Sequence, residues 1–361
     1  MAATTGPSAA LSDTILAVTP EPQVDSPLFQ ELPAEVRSNI FTYALTDYPD
    51  PSPDKAYGQS TCYTRPSYFA PRKSDTALLQ TCRRAYQECW FLPFLLREQI
   101  HWCVGDHDRA PPGYEVSDAR RQLARTLQTI KYQQKQDFQI QHLRVFAQMF
   151  MLERGELASF LRVPYLDPQV LTLTIRHADW WHWEDDEPLR FEGSWIPTVS
   201  QHLKTGLREV RIELETLERK KDQVDEIAKQ MMQKWFFKRP DGVVLYGADK
   251  EVTRWKGTSR WHNRRWTRDE SAEGVIDYYI VTVIFLPERL LERNGVDAGD
   301  IAKTLAQSDD RPRDQQLKLH NPEWQRMQHP GMPYVDESRP QPTHGMSTRR
   351  GRRREVAGRR A

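Results

Sequence analysis

The sequence predicts an α+β fold in which N-terminal helices are followed by a mixed sheet packed with helices. Apolar residues recur at helical spacing in residues 33–45 and again in residues 75–90. Apolar and polar residues alternate in residues 171–175 and 210–215, as expected of half-buried strands. Residues 276–286 are apolar at both alternating sets of positions, which indicates a central strand covered on both faces.

The first element predicted is a short amphipathic helix over residues 33–45. Val36, Ile40, Phe41 and Leu45 fall at helical spacing. Pro33 suits the first turn of a helix, where its missing N–H group costs no hydrogen bond.

A long loop is predicted next, followed by a second helix over residues 75–90. Residues 47–74 hold five prolines and four tyrosines, a composition typical of a loop with ordered or half-ordered structure. The second helix has one broad apolar face, so its two cysteines are expected to fill the core. That face comprises Leu78, Leu79, Cys82, Tyr86, Cys89 and Trp90.

In the rest of the folded region, the spacing of apolar residues changes several times between that of a helix and that of a strand. A short strand is predicted over residues 100–104, a helix capped by Ser117 over residues 117–133, and a strand over residues 142–150. Residues 222–236 form an amphipathic helix, so residues 207–245 are predicted to run strand, helix, strand.

Both ends of the chain are predicted to be disordered. Residues 1–26 are rich in Ala, Thr, Pro and Ser without a period, and only 4 of residues 307–361 are Leu, Ile, Val or Phe. The predicted organisation is therefore a flexible arm (1–26), a helical module with an insertion (27–104), a sheet and helix domain continuous with it (105–294) and a mostly disordered tail (295–361). Residues 345–361 hold seven arginines and one glutamate, a pattern typical of a nuclear-import or nucleic-acid patch and equally of a solvated tail.

The composition limits the classes of protein to which the chain can belong. With 38% apolar and 28% charged residues and a net charge of +1, the chain is expected to be globular, with no global attraction to nucleic acid or membrane. The longest nearly apolar run, residues 278–286, is about half the length of a spanning helix, which needs ~18 residues, so no membrane association is expected. The four cysteines form no CxxC pair, which favours reduced thiols in the nucleus or cytoplasm.

Motifs for catalysis and cofactors are mostly missing, so a non-enzymatic protein without a cofactor or metal is expected. There is no Gly-x-Gly-x-x-Gly, phosphate loop, Gly-x-Ser-x-Gly or His-Glu-x-x-His. The best polar cluster is residues 177–187, where His177, Asp179, His182 and Glu184 are compatible with a metal but match no known spacing. We favour a rim in which the cluster's tryptophans (Trp180, Trp181 and Trp183) fill the core while its acids face water.

Residues 254–268 interleave aromatic and cationic side chains. The segment contains six cations and no acid. Such a pattern suits single-stranded nucleic acid, through base stacking and phosphate pairing, or an acidic partner. It suits an internal role as well, with guanidinium groups stacked on indole rings and paired with acids of the same chain, and we favour an intramolecular or protein contact. The candidate contact residues are Trp255, Arg260, Trp261, Arg264, Arg265, Trp266 and Arg268.

The N-terminal module resembles an F-box. Residues 28–41 read LFQELPAEVRSNIF, which is similar to the Leu-Pro-x-Glu-Ile/Val and Ile-Phe pattern of the first F-box helix. Together with residues 78–90, LLQTCRRAYQECW, the segment looks like the F-box-like proteins of filamentous fungi, whose opening also has the arginine and tyrosine found at Arg37 and Tyr43. The resemblance covers residues 28–104, with looser similarity in residues 173–184.

The resemblance implies a partner. F-box modules dock on a Skp adaptor of cullin and RING ubiquitin ligases, while the downstream domain holds a substrate protein, which is unknown here. The residues that would supply the apolar docking surface are Leu32, Pro33, Val36, Ile40 and Phe41. The alternative is that Val36, Ile40 and Phe41 pack on the second helix inside the chain. A second functional hypothesis is a nuclear nucleic-acid-associated protein that uses residues 254–268 and the arginine-rich tail.

Overall fold

A seven-stranded mixed sheet forms the centre of the molecule, and the predicted α+β class is confirmed. The computed structural model describes residues 15–50, 52, 72–105, 109–111, 113–135, 137–261, 264–293, 300–307, 316–317, 319 and 333–336. The strands of the sheet are β1 (Gln99–Cys103), β2 (Ile140–Ala147), β3 (Pro168–Ile175), β4 (Glu209–Leu217), β5 (Phe236–Lys238), β6 (Val244–Thr258) and β7 (Val275–Pro287).

The sheet is parallel on one side and antiparallel on the other. Its strand order is β1-β2-β3-β4-β7-β6-β5. Strands β1 to β4 run parallel, whereas β7, β6 and β5 are each antiparallel to their neighbours. The helices and single 3-10 turns that connect successive parallel strands are needed because such strands cannot be joined by a tight hairpin.

Eleven helices are described. They are α1 (Pro27–Gln30), α2 (Ala34–Leu45), α3 (Arg83–Cys89), α4 (Leu92–Leu96), α5 (Val116–Gln134), α6 (Met149–Glu153), α7 (Glu156–Phe160), α8 (Ile196–Ser200), α9 (Lys221–Lys234), α10 (Glu288–Arg293) and α11 (Asp300–Gln307). Single 3-10 turns occur at Ala77–Gln80, His177–Asp179, Trp183–Asp185, Glu218–Lys220 and Thr267–Asp269. None of the helices in the described part of the chain is long and apolar enough to cross a membrane.

The main core lies where helices pack on the sheet. Alternate residues of β3 (Leu171, Leu173 and Ile175) join it, as their spacing predicts. Helix α9 packs against β4, β6 and β7, and Trp235, which follows it, is fully buried. The predicted order of strand, helix and strand over residues 207–245 is therefore present in β4, α9 and β5.

Several predicted elements have different boundaries in the structure. The predicted helix over residues 75–90 is interrupted at Cys82, whose backbone is extended and whose sulfur accepts the N–H of Ala85 at the start of α3. Ser117 does not cap α5, because Glu115 occupies the N-cap position. The predicted strand over residues 142–150 ends at Ala147, and α6 follows.

The folded region also extends beyond its predicted limits. Gln87 donates hydrogen bonds to the carbonyls of Ile15 (2.8 Å) and Val18 (2.6 Å), so part of the predicted flexible arm lies against α3. Beyond residue 294, α11 buries Ala302, and Leu317 is buried where a two-residue ladder joins Gln316–Leu317 to Phe191–Glu192. The arginine-rich residues 345–361 lie outside the described residues.

Candidate functional site: an exposed apolar helix face

Helix α2 presents apolar side chains to solvent on one face. Val36 is 41% exposed, Ile40 is 40% exposed and Tyr43 is 85% exposed. They are spaced four and three residues apart, so they lie in one row along the helix, and Pro33 is exposed one turn before them. We call Pro33, Val36, Ile40 and Tyr43 the α2 stripe. A contiguous apolar row of this kind is typical of an interaction surface, whereas single exposed apolar residues are ordinary.

The opposite face of α2 packs into the core of the N-terminal module. Phe41 is 1% exposed and Leu45 is fully buried, and both belong to one buried cluster with Ala85 and Cys89 of α3. Phe29 of α1 completes this small core. The helix is thus apolar on two sides, one facing its own module and one facing water.

An ion pair fixes the rotation of α2 about its axis. Arg37 lies on the inner face, and its Nε and Nη2 atoms donate to the two carboxylate oxygens of Glu88 on α3, at 3.0 and 3.3 Å. Its Nη1 donates to the carbonyl of Leu32 at 2.7 Å. Because the guanidinium group is planar, these bonds hold one orientation of the helix and leave the α2 stripe pointing outward.

The two ends of the insertion between α2 and α3 lie next to each other. Arg72 donates to the carboxylate of Asp47 through Nε (2.6 Å) and Nη2 (3.0 Å). Next to this pair, Tyr48–Pro49 and Arg72–Lys73 form a two-residue antiparallel ladder. The two helices therefore contribute to one small core despite the insertion, whose residues 51 and 53–71 lie outside the described part of the chain.

The predicted docking residues fall on both sides of α2. Pro33, Val36 and Ile40 are exposed together, as a docking surface requires. The assignment of Phe41 to the docking surface is corrected, because Phe41 is buried in the module's own core and does not reach the surface. Leu32 is half-buried. Sequence reasoning did not assign Tyr43 to the surface, although its position seven residues after Val36 places it on the same helix face.

Two of the three tryptophans of residues 254–268, Trp255 and Trp266, pack inside the molecule. Trp255 stacks on Tyr278 of the neighbouring strand with ring centroids 4.3 Å apart and an angle of 10° between the planes. Its indole N–H donates to Glu215 of β4 at 3.0 Å. Trp266 is buried against Trp183, with centroids 4.4 Å apart.

The arginines of the same segment are paired with acids or rings of this chain. Arg265 donates through Nε and Nη2 to Glu270, at 2.7 and 2.9 Å, and hydrogen bonding to Arg265 lowers the pKa of Glu270 to about 2. Arg268 donates to Asp269, and Arg264 lies over the ring of Tyr334 at 4.5 Å. These contacts favour the intramolecular interpretation over nucleic-acid binding.

Arg260 and Trp261 are the remaining two residues of that candidate set. Arg260 and Trp261 form a two-residue ladder with Arg264–Arg265. The side chain of Trp261 lies outside the described part of the chain. Stacking on a base needs an open aromatic face, and the buried Trp266 does not offer one.

A buried ionic network lies where the loop after β3 meets β4 and β7. Arg219 bridges Asp186 and Asp269, with Nη2 2.8 Å from Asp186 Oδ1 and 2.7 Å from Asp269 Oδ1. Lys220 Nζ lies 2.7 Å from the same oxygen of Asp186. Burial alone would raise the pKa of Asp269, but neighbouring His177 and Arg268 outweigh it and hold that pKa well below its usual value. The network ties these loops together and keeps its carboxylates ionised.

This network explains where the polar cluster of residues 177–187 lies. His177 is buried with its Nε2 atom 3.8 Å from Asp269 Oδ2, and Asp179 pairs with Arg176 at 3.0 Å. His182 and Glu184 are exposed instead, so the four candidate ligands do not share an environment. Within the described ranges, no three His, Cys, Asp or Glu residues gather in a way that could hold a metal ion.

The prediction that the acids of this cluster face water holds for two of the acids and fails for two. Glu184 and Asp185 are exposed, but Asp186 and Asp179 are buried. The predicted core role of the tryptophans is confirmed for Trp180 and Trp183, whereas Trp181 is half-buried.

Comparison with protein-family models, with curated proteins and with solved structures gives no match to this chain.

Proposed function

We propose that the chain is a non-enzymatic interaction protein whose α2 stripe docks on a Skp adaptor of a cullin and RING ubiquitin ligase. The observation that carries the proposal is the exposure of Val36, Ile40 and Tyr43 on one helix face. The occupant is suggested by the F-box-like pattern of residues 28–41, which includes two of these three residues. The sheet domain would then hold a second protein as the substrate.

The stripe has the chemistry of a helix that lies in an apolar groove. Such helices are recognised through anchors at positions i, i+3 or i+4, and i+7, and Val36, Ile40 and Tyr43 have this spacing. Completing the burial of a half-exposed aliphatic side chain contributes about 1 kcal/mol. Three anchors on a helix already held by Arg37 therefore give a preformed surface, which lowers the entropy cost of association.

A co-expression pull-down tests the proposal. The full chain is expressed with the Skp adaptor of a filamentous fungus, as wild type and as the separate variants Val36→Asp and Ile40→Asp. Each variant should remain folded, because the replaced side chain is already in contact with water. We expect the wild type to capture the adaptor and both variants to lose it, because a charge would be buried without a partner at the interface.

Tyr132→Asp is the matched control. Tyr132 lies on α5 and is 78% exposed, so this variant also places an aspartate on an exposed helix face in exchange for an apolar side chain. It should capture the adaptor like the wild type. Circular dichroism of each purified variant separates lost docking from lost folding. Absence of capture by a folded wild-type chain would refute adaptor docking.

A further inference from the structure

A cavity of about 540 Å³ opens at the edge of the sheet where the parallel strands begin. Its walls come from the segments that precede β2 and β4, from the turn after β5 and from the junction of β7 with α10. The lining residues are Gln139, Thr205, Gly206, Arg208, Arg239, Pro287, Arg289 and Leu290. We call this space the arginine cavity. Its volume lies in the range of small-molecule sites, roughly 300 to 1,000 Å³.

Two of its three arginines are available to a ligand. Arg208 and Arg289 are exposed, and within the described residues neither guanidinium group has a hydrogen bond or ion pair. Arg239 is held in place, since Nη1 donates to the carbonyl of Leu207 at 2.7 Å and Nε donates to Asp241 at 3.0 Å. The cavity therefore combines one fixed arginine with two exposed arginines that have no partner among the described residues.

No carboxylate is among the lining residues of the cavity. Asp241 is paired with Arg239. Asp167 accepts a hydrogen bond from the side chain of Gln139 at 3.2 Å. The lining side chains therefore include three cations and no anion.

We propose that the arginine cavity binds a small molecule that carries a phosphate or pyrophosphate group. Guanidinium groups bind phosphate oxygens through paired N–H donors, and two arginines from different segments would grip one anion from two sides. The hydroxyl group of Thr205 supplies a further neutral donor. The apolar walls of Pro287 and Leu290 suit the uncharged part of such a molecule. This proposal is independent of adaptor docking, because α2 contributes nothing to the cavity.

Isothermal titration calorimetry of the full chain in ~50 mM salt tests the proposal, because screening is weak at that ionic strength. The probes are pyrophosphate, inorganic phosphate and citrate, titrated separately. The variants are Arg208→Gln and Arg289→Gln. The control is Arg125→Gln, which removes an exposed arginine on α5, remote from the lining residues. Thermal unfolding of each variant checks that the fold is intact.

We expect saturable binding of one pyrophosphate per chain, weaker binding of phosphate, and little binding of citrate. Each cavity variant should weaken pyrophosphate binding about tenfold or more, since each removes a charge-assisted hydrogen-bond donor, whereas Arg125→Gln should change it less than about twofold. The proposal is overturned if pyrophosphate shows no saturable binding, or if all three variants bind it equally. Citrate binding as tight as that of pyrophosphate would overturn the assignment to phosphate.

Discussion

Arg37 and Glu88 join helices α2 and α3 of the N-terminal module through a two-pronged ion pair, with Arg37 Nε 3.0 Å from Glu88 Oε2. The two residues are 51 positions apart in the sequence. Because the guanidinium group is largely buried, the pair holds α2 in one rotation, with Phe41 inward and the α2 stripe outward. The ion pair and the buried cluster of Phe41 and Leu45 thus together leave the α2 stripe accessible to a partner.

Replacing Arg37 by leucine should therefore destabilise the module. The substitution removes the charge that faces Glu88 and the hydrogen bond to the carbonyl of Leu32, so we expect a loss of about 1 to 3 kcal/mol. Urea denaturation measures it. Arg121→Leu is the control, because its ion pair with Asp118 is exposed and should contribute less than about 1 kcal/mol. Equal losses in the two variants would mean that the Arg37 pair is no more important than a surface pair.

Truncation of two adjacent residues on α2 should lower the free energy of unfolding by very different amounts. Phe41→Ala removes a fully buried ring and should cost about 3 to 5 kcal/mol in stability, whereas Ile40→Ala should cost less than about 1 kcal/mol. Thermal and urea unfolding of the two variants give the comparison. If Ile40→Ala were the more damaging change, Ile40 would be a core residue and the outer face of α2 would be assigned incorrectly.

Substitution of Gly257 should disturb the stack between Trp255 and Tyr278. A Cβ atom at Gly257 would overlap the Trp255 ring and lie 2.8 Å from Cε2 of Tyr278. We expect Gly257→Ala to cost about 1 to 3 kcal/mol and to move the tryptophan fluorescence, since the indole must shift. Gly113→Ala is the comparison: nothing lies within 4 Å of the added Cβ atom, so its cost comes from backbone strain at positive φ and not from a clash with an aromatic ring. An unchanged spectrum and unchanged stability would contradict the close packing of residues 255, 257 and 278.

The free energy of unfolding should fall in mild acid because of buried His101. Burial lowers the pKa of His101 to about 4, from an ordinary value of 6.5. Below about pH 6.5 the unfolded chain binds a proton at this site while the folded chain does not, so stability is lost as the pH falls toward 4. For one such buried histidine, the loss in the free energy of unfolding reaches up to ~3 kcal/mol.

The variant His101→Gln should therefore show a shallower loss of stability between pH 6.5 and pH 4 than the wild type. Part of the slope should remain, because burial also lowers the pKa of His142 to about 4. His182→Gln is the control, since that imidazole is exposed. Urea titrations at pH 7 and pH 4.5 provide the measurement. A wild-type slope that survives in His101→Gln would assign the acid sensitivity to other groups.

The sequence predicts those parts of the fold whose pattern is local. Helices α2, α5 and α9 and strands β3 and β4 show a clear period, and β7 is a nearly continuous apolar run. The structure has all six within a few residues of the predicted limits. Strand β6 was missed because residues 249–256 are polar on both faces and carry no alternation of apolar and polar residues. It is held by pairing with β7 along almost its whole length, and such pairing is invisible in a local pattern.

The candidate sites depend on contacts between distant residues, and local patterns do not specify them. Helical spacing places both Ile40 and Phe41 near an apolar face. Which one is covered depends on the buried cluster that Phe41 shares with Cys89 and on the ion pair between Arg37 and Glu88, and both involve residues distant in sequence. The cationic character of residues 254–268 is compatible with an external anion and with acids of the same chain. Those acids include Glu218, which accepts a hydrogen bond from Arg254 and lies 36 positions away, and a charge count over 15 residues cannot detect that residue.

The equilibrium dissociation constant between the purified full chain and a purified Skp adaptor, measured by biolayer interferometry, tests adaptor docking most directly. We expect saturable binding by the wild type, at least a tenfold weaker affinity for Ile40→Asp, and an affinity within about twofold of the wild type for Tyr132→Asp. No binding by the folded wild type, or equal affinities for all three proteins, would contradict a docking role for the α2 stripe.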